Sequence, residues 1–478
     1  MPFVKQRITA AELQPNIDKI RHDLHIDEAF GPDVLAEVRE RVTSGPLTQN
    51  LIGADQRIDA TNIELWSIDP EGSRDLDQAL HLERRDSGYR FTYAIADLGA
   101  WVSPGGALDR AVQSRGVTVY TPDTAVPLHP VELSHGAASL LQGQKVPAIL
   151  WNIDLDQRGE ISDIAVNRAW VTNRRALAYD WVQAQLDAGS TDEQFRLLEE
   201  VGKLRLELEA ERGAVSLNLP EQVVVKSDDH YELRYEQSNV VESYNAQMSL
   251  CTGIAAARLM IAHGRGLLRT LPAPDQFTLD RLRQHAAALG HPWATIQTYR
   301  DWLISLPADS PTTQALQVAA ARTLRGAGYL AFSGPVPPDH QHWAIAAAYA
   351  HVTAPLRRLA DRYANEAVLA AATQRSLPDW AEQGIELMPE RMGAAARISN
   401  KIESAVVDLV ESAVMLNHVG DVFAATVVSS GKGFVTCQLH DPAVIVSLHG
   451  HLDVGTQVSL RVDSASIEPL TLTLTQVR

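Results

Sequence analysis

Apolar positions change rhythm three times along this chain, dividing it into four stretches that alternate between helix and strand. Residues 1–60 carry short helical runs. Thr9-Ala10-Ala11-Glu12 has the spacing of a capping box, in which the two end side chains satisfy orphan N–H groups of a first helical turn. Gly31-Pro32 opens a second run over 34–42, with proline where its missing N–H costs nothing, and Gly45-Pro46 ends it. Together with Asn62-Ile63-Glu64-Leu65-Trp66, these pieces are open to two readings: a winged-helix, helix-turn-helix-like module, or a helical cap used for packing or dimerisation. From about 61 to 170 the pattern is one of strands and loops, with polar–apolar alternation over 90–96 and an apolar run over 148–155. Helical periodicity dominates 175–418, with long runs at 240–263, 312–325 and 389–418. The end of the chain returns to short β-rich runs at 423–428, 434–439, 443–448, 457–462 and 470–475, a pattern that predicts a small OB-fold β-barrel. The expected class is α+β and multidomain: a helical module at 1–60, a mixed α/β domain at 61–418 and a barrel at 419–478.

Composition narrows the setting. Hydrophobic residues make up 45% and charged residues 21%, as in ordinary folded proteins. No run approaches the roughly 18–20 apolar residues that span a bilayer, so no membrane partner is expected. Residues 1–10 lack the apolar core and small-residue cleavage site of a secretory leader. Cys251 and Cys437 are the only cysteines, too few for a disulfide framework or an all-cysteine zinc site, and the cytoplasm is the expected compartment. The net charge of −17 runs against nucleic-acid binding on an open surface. Neither end is a basic arm: residues 1–60 hold 7 Lys/Arg against 10 Asp/Glu, and 419–478 hold 3 against 5. A nucleic-acid ligand would therefore need an enclosed channel where cations are concentrated locally.

Candidate chemistry gathers in two segments. In Ile68-Asp69-Pro70-Glu71-Gly72-Ser73-Arg74-Asp75-Leu76-Asp77-Gln78, Pro70 and Gly72 mark a turn that can return Asp75 and Asp77 toward Asp69. Asp75 and Asp77 are two apart, which on an extended segment points both to one face. Convergent carboxylates suit a hard cation such as magnesium, and phosphodiester hydrolysis is chemistry that such an ion serves. On spacing alone an acidic solvated turn explains the segment equally well. The second segment, Tyr349-Ala350-His351-Val352-Thr353-Ala354-Pro355-Leu356-Arg357-Arg358-Leu359-Ala360-Asp361, predicts a helix starting at Pro355 with both arginines in its first turn. Guanidinium groups at a helix N-terminus form a phosphate site. A structural pairing of Arg357 with Asp361, four residues on, is the alternative.

The string IDPEGSRDLDQAL resembles the signature of the ribonuclease II and ribonuclease R family of RNB-type exoribonucleases. Further landmarks follow in order: Tyr93-Ala94-Ile95-Ala96-Asp97, Gly116-Val117-Thr118-Val119-Tyr120, Leu177-Ala178-Tyr179-Asp180, Val241-Glu242, and the double-arginine segment. The resemblance spans roughly 60–415 and identifies the last barrel as the S1-type OB-fold of that family. It implies a mixed α/β RNB catalytic domain and a processive 3′→5′ exoribonuclease that releases nucleoside 5′-monophosphates from single-stranded RNA with a free 3′ end. It further implies Asp69, Asp75 and Asp77 as ligands of Mg²⁺, with Mn²⁺ as a substitute, and Asp77 as the residue most critical to turnover. Arg357 would stabilise charge on the scissile phosphate. Tyr120, Tyr179, Glu242 and Arg358 would contact RNA, and Glu403 would match a late acidic position. The chain departs from the family at Gln78, where many relatives carry a fourth aspartate, at Ala354 and Leu359, and at Asn365-Glu366. The two N-terminal cold-shock barrels of the family are not expected in residues 1–60. A monomer is expected. The alternatives are an RNA-binding regulator of the same fold with a weakened site, motivated by Gln78 and the acidic charge, and a metal-dependent nuclease acting on DNA.

Overall fold

The computed structural model describes residues 9–26, 29–215, 221–227, 229–236, 239–307, 311–431, 433–442 and 444–477. The leader reading of the first eight residues and the expected strand start at Ala443 lie outside the described residues. Two helices come first, α1 (Ala10–Asp23) and α2 (Pro32–Ser44). Thr9 and Glu12 form the expected capping box on α1, and Pro32 sits in the first turn of α2. The strands β1 (Ile58–Asp59), β2 (Leu65–Asp69), β3 (Gln78–Arg85) and β4 (Gly88–Ala96) follow. Helix α3 (Ala107–Arg115) leads into a small hairpin, β5 (Val119–Tyr120) and β6 (Ala125–Val126). Two long strands, β7 (Lys145–Asp156) and β8 (Ile161–Ala178), complete the main sheet.

That sheet runs β1-β8-β2-β3-β4-β7, and β8 pairs with β7 as well as with β2. The two halves of β8 do different work: its first half lies antiparallel to β7 and its last residues run parallel to β2, so the sheet curls back on itself. Strand β2 is therefore central. Leu65, Trp66, Ser67 and Ile68 are buried in succession, the mark of a strand covered on both faces. Residues 62–66 consequently do not make the wing of a winged-helix module. The helices before them do not share a core either. Val34 and Val38 of α2 join the main core, whereas Ala10, Leu13 and Ile17 of α1 join the core of the C-terminal barrel. The two helices are thus divided between two cores.

The helical half contains α4 (Tyr179–Asp187), α5 (Glu193–Glu211), the hairpin β9 (Glu221–Ser227) and β10 (His230–Glu236), and α6 (Val240–His263). The strand β11 (Arg265–Thr270) pairs across α7 (Gln276–Ala288), α8 (Tyr299–Ile304) and α9 (Pro311–Ala321) with β12 (Gly328–Ser333). Helix α10 (Leu359–Thr373) is buried from Leu359 through Ala371 and forms the axis of the domain. Helix α11 (Asp379–Leu416) begins earlier than the sequence pattern predicts and carries Pro389 inside it. Ala381, Ile385, Met388 and Met392 extend its buried stripe across that proline, so packing overrides the local break. The chain ends in β13 (Val422–Gly431), β14 (Phe434–Leu439), β15 (Ile445–His449), β16 (Gln457–Ile467) and β17 (Leu470–Val477). They form an antiparallel sheet ordered β15-β14-β13-β16-β17 whose edges approach each other, the expected OB-fold barrel.

Candidate active site

The first acidic segment is the β2–β3 connection, and its shape is set by one buried hydroxyl. Ser139 donates to the Arg74 carbonyl at 2.7 Å and accepts from the Leu76 N–H at 2.9 Å. Asp75 is thereby held between two fixed backbone points. Gly72 turns the loop at φ +81°, a left-handed conformation that favours glycine. The Ala96 N–H donates to the Asp77 carbonyl and joins the end of the loop to β4.

The second segment departs from its predicted shape. Helix α10 starts at Leu359 with Arg358 as its N-cap, so Pro355, Arg357 and Arg358 precede the helix rather than forming its first turn. Asp361 is the cause. Its fully buried carboxylate accepts from the Ala354 N–H at 2.7 Å and from Arg358 Nε and Nη2 at 3.0 and 2.8 Å, folding the loop back over the helix start. The pairing is thus Arg358–Asp361, not Arg357–Asp361. The loop also bridges to Gly116-Val117-Thr118: Thr118 N–H donates to the Arg357 carbonyl, and Leu359 N–H to the Gly116 carbonyl. Gly116 has φ +73°, and a Cβ there would lie 2.5 Å from that of Ala395 in α11. This contact carries the β5–β6 hairpin, and Tyr120 with it, to the arginine loop.

The two segments meet. Leu356 N–H donates to Asp77 Oδ1 at 2.8 Å, and Arg357 Nε lies 3.4 Å from Asp77 Oδ2. Around them opens a cavity of about 860 Å³ bordered by Asp69, Asp75, Asp77, Gln78, Tyr120, Tyr179, Glu242, Arg357 and Arg358. Of the sequence-predicted site residues, Glu403 alone is absent from this lining; it lies exposed on α11. Tyr120 stands at the rim, 55% exposed. Tyr179 begins α4 and its hydroxyl accepts from Asn245 at 2.7 Å. Glu242 doubles as the helix cap of α6, with one carboxylate oxygen accepting from the Asn239 N–H at 3.2 Å. Gln78 Oε1 accepts from the Tyr93 hydroxyl and, at 3.1 Å, from Ser249, so its amide oxygen is already engaged.

Electrostatics single out two carboxyls. Burial pushes Asp77 up to about 8 despite Arg357 and the Leu356 N–H, and pushes Asp69 up to about 6, with Arg357 opposing and Asp75 reinforcing. Tyr179 is raised to about 12 by burial and by Asp69, and so remains a proton donor. Oxygen donors of this kind match a hard divalent cation, and a cation would relieve the burial cost on both carboxyls. The match is one of chemistry and charge. Among the described residues no three His, Cys, Asp or Glu side chains converge closely enough, as placed, to cage an ion.

Sequence reasoning missed Ser139, Asn245, Ser249 and the clamping role of Asp361. Only Asp361 carried a signal, three residues after Arg358 and in reach on a helical start. The family departures at Asn365 and Glu366 fall outside the cavity: Asn365 donates to the Val352 carbonyl and Glu366 pairs with Arg168, both in the interior.

A cavity bordered by three aspartates and two adjacent arginines, with a curled sheet and a buried axial helix, fits the RNB architecture. Residues 57–374 match the RNB domain family, and residues 421–477 match the RNase II-type exonuclease C-terminal S1 domain. The chain belongs to the RNB family. It is 28% identical over 405 residues to Ribonuclease R of Escherichia coli, a match covering 79% of this chain and 49% of that protein. The chain spans about a third to a half of the length of the first such relatives. In structure it is similar to the apo form of Mycoplasma genitalium RNase R, with a TM-score of 0.84 at 17% identity, covering 97% of this chain and 78% of that one. It also resembles yeast Ssd1, described as a pseudonuclease, with a TM-score of 0.74 at 17% identity over 91% of this chain and 56% of that one.

Proposed function

We propose that this chain is a processive 3′→5′ exoribonuclease that hydrolyses single-stranded RNA from a free 3′ end to nucleoside 5′-monophosphates. The observation that carries the reading is the meeting of Asp77 with Arg357 in a cavity that Asp69 and Asp75 also border. In this reading Asp69, Asp75 and Asp77 hold Mg²⁺, for which Mn²⁺ can substitute. The bound ion supplies Lewis-acid activation of water and stabilisation of the leaving oxygen. Arg357, half-exposed while Arg358 is tied to Asp361, neutralises charge on the scissile phosphate. Tyr120 stacks on a base at the rim, Tyr179 donates to the RNA end, and the second oxygen of Glu242 accepts from the terminal ribose. Arg358 holds the loop and adds positive potential to the phosphate path. The enzyme works as a monomer in the cytoplasm; among the described residues no helix is long and apolar enough to cross a membrane.

Likeness of fold does not separate this from an RNA-binding regulator, because Ssd1 shares the fold. Three carboxylates bordering one cavity with a half-exposed guanidinium favour the hydrolase, since a regulator has no need of them. The test uses 5′-labelled RNA and DNA oligomers with and without Mg²⁺. A ladder shrinking from the 3′ end of RNA, only with the ion, is expected. Binding without shortening would establish the regulator, and equal shortening of DNA would establish the third reading.

A further inference from the structure

A second cavity of about 380 Å³ opens beside the catalytic one, bordered by α5, α6 and α8. The two share Ser243, Ala246 and Leu250 of α6, so a low wall of mostly small side chains is all that this helix places between them. Beyond the wall the lining divides by chemistry. Leu206, Val215, Leu303 and Ile304 supply an apolar surface, while Arg300, Glu209 and Gln247 supply polar groups. Glu209 and Gln247 are both more than nine-tenths buried. Gln247 Nε2 donates to Glu209, and Gln247 Oε1 has no hydrogen-bond partner among the described residues. A buried amide oxygen without a partner costs free energy, and a ligand donor is one way to recover it. Arg300 spends one Nη on the Ala214 carbonyl at 2.8 Å, which fixes the guanidinium at the cavity edge.

We propose that this cavity is a product site that receives the released nucleoside 5′-monophosphate before it leaves the protein. The inference rests on the exoribonuclease reading for the identity of the ligand. The volume suits a small ligand of nucleotide size. The apolar surface takes the base, Arg300 takes the phosphate, and Gln247 with Glu209 accept from ribose hydroxyls or a base amine. Position supplies the rest. A nucleotide cut beside Asp77 cannot return along a path still filled by the remaining RNA, whereas the wall at Ser243 and Ala246 opens on its other side. Arg300, Leu303 and Gln247 border this cavity and not the catalytic one, so a ligand held by them lies apart from the reacting atoms.

The experiment separates binding from turnover. The full chain, with Mg²⁺, is saturated with an RNA oligomer whose last linkage carries a methylene in place of the bridging 3′ oxygen and so resists hydrolysis, and AMP is titrated into the complex by calorimetry. AMP is expected to bind while the catalytic cavity is filled. Arg300→Glu, which repels the phosphate, and Leu303→Trp, which fills the cavity, should each weaken that binding by at least roughly tenfold, the scale of a charge-assisted hydrogen bond. Single-turnover cleavage of the first nucleotide should stay at the wild-type rate in both variants while steady-state release slows. A melting curve confirms that each variant is folded, and the two substitutions perturb different elements. Absence of AMP binding to the blocked complex overturns the proposal. So does wild-type affinity in both folded variants, or an unchanged steady-state rate. Loss of all RNA shortening by the wild-type protein would instead overturn the exoribonuclease reading, which the calorimetric titration does not depend on.

Discussion

Two clusters of buried charge, a lower one around Asp97 and an upper one around Asp77, are built on opposite principles. In the lower one, Asp97 accepts from Arg168 and, at 2.9 Å, from Arg57, while Glu366 accepts from Arg168 and Arg168 Nε donates to the Ile52 carbonyl at 2.8 Å. Burial alone would raise the Asp97 carboxyl, yet Arg168 and Arg57 hold it below its ordinary value, while burial keeps Glu366 raised even beside Arg168. Every charge there has a partner. In the upper one Asp77 is buried and Asp69 half-buried, the half-exposed Arg357 lies beside Asp77, and both carboxyls are raised. A satisfied network fixes structure; a cluster left short of positive charge is poised for a ligand that brings it. The residues that differ from the family pattern follow the same division. Glu366 serves the paired network and Asn365 bonds the Val352 carbonyl, so both departures lie outside the cavity.

The largest expected effect breaks the upper cluster. Asp77→Asn should abolish RNA shortening while RNA binding, read by filter retention, survives. The same variant reports on charge. In the metal-free protein Asp77 keeps its proton in the fold up to about 8, whereas the unfolded chain loses it near the ordinary value of 3.8. The unfolded state therefore binds fewer protons across that window, and stability falls as pH rises through it. Asp77→Asn removes this slope, so with chelator present the variant should melt higher than wild type at pH 8 and alike near pH 4. Mg²⁺ should raise the melting temperature of wild type only. A lower melting temperature for the variant at pH 8 would mean that Asp77 is paired as securely as Asp97.

The lower cluster should break differently. Arg168→Met leaves Asp97 and Glu366 buried without their shared partner, and such losses cost about 3–5 kcal/mol. Urea titration should show that loss, with residual activity per folded molecule unchanged. A change below about 1 kcal/mol would show that the network is solvated in practice. Next in size, Arg357→Ala should lower turnover about 10²- to 10³-fold with little change in stability, as expected for one donor to a developing charge. Arg358→Ala should do the reverse, because Arg358 holds Asp361 and the loop. Equal kinetic losses in the two variants would erase the distinction between phosphate contact and loop clamp.

How much of this was legible in the sequence depended on whether the causes were local. The capping boxes of α1 and α6 are adjacent-residue devices, and Thr9–Glu12 could be read directly. The acidic turn and the arginine segment could be recognised as strings. Their meeting could not, since Leu356 and Asp77 are joined only by the fold. The helix start at Leu359 was misplaced because Pro355 is a good first residue in isolation, and the Asp361 hydrogen bond to Ala354 outweighs it. The first 60 residues looked like one module because the chain gives no sign that α1 and α2 pack into different cores.

Smaller effects sharpen the cavity itself. Tyr120→Ala should leave the chemistry intact and enlarge the shortest product, since a stacked base contributes about 1–3 kcal/mol and short oligomers would dissociate sooner. Unchanged product length, read on a denaturing gel, would place Tyr120 outside the RNA path.

The smallest effect, and the most informative about the contrast between clusters, is expected at Gln78. Its oxygen accepts from Tyr93, which is fully buried, and from Ser249, and the two hydroxyl oxygens lie 3.0 Å apart. With that oxygen engaged, Gln78 adds neither charge nor a free ligand atom, so in the proposed mechanism a cation would rest on Asp69, Asp75 and Asp77. Gln78→Asp shortens the side chain by one methylene, gives up the bonds to Tyr93 and Ser249, and adds a carboxylate to a cavity that already raises two. In the metal-free protein this should cost about 1 kcal/mol, the scale of one hydrogen bond. With Mg²⁺ titrated and melting temperature as the readout, the midpoint should shift to lower ion concentration, because the added charge is compensated only when the ion is bound. Gln78→Leu should lose the same stability and leave the midpoint where it is. If Gln78→Leu raised the midpoint instead, the amide oxygen would be a ligand, and the cavity would hold its ion with four side chains rather than three.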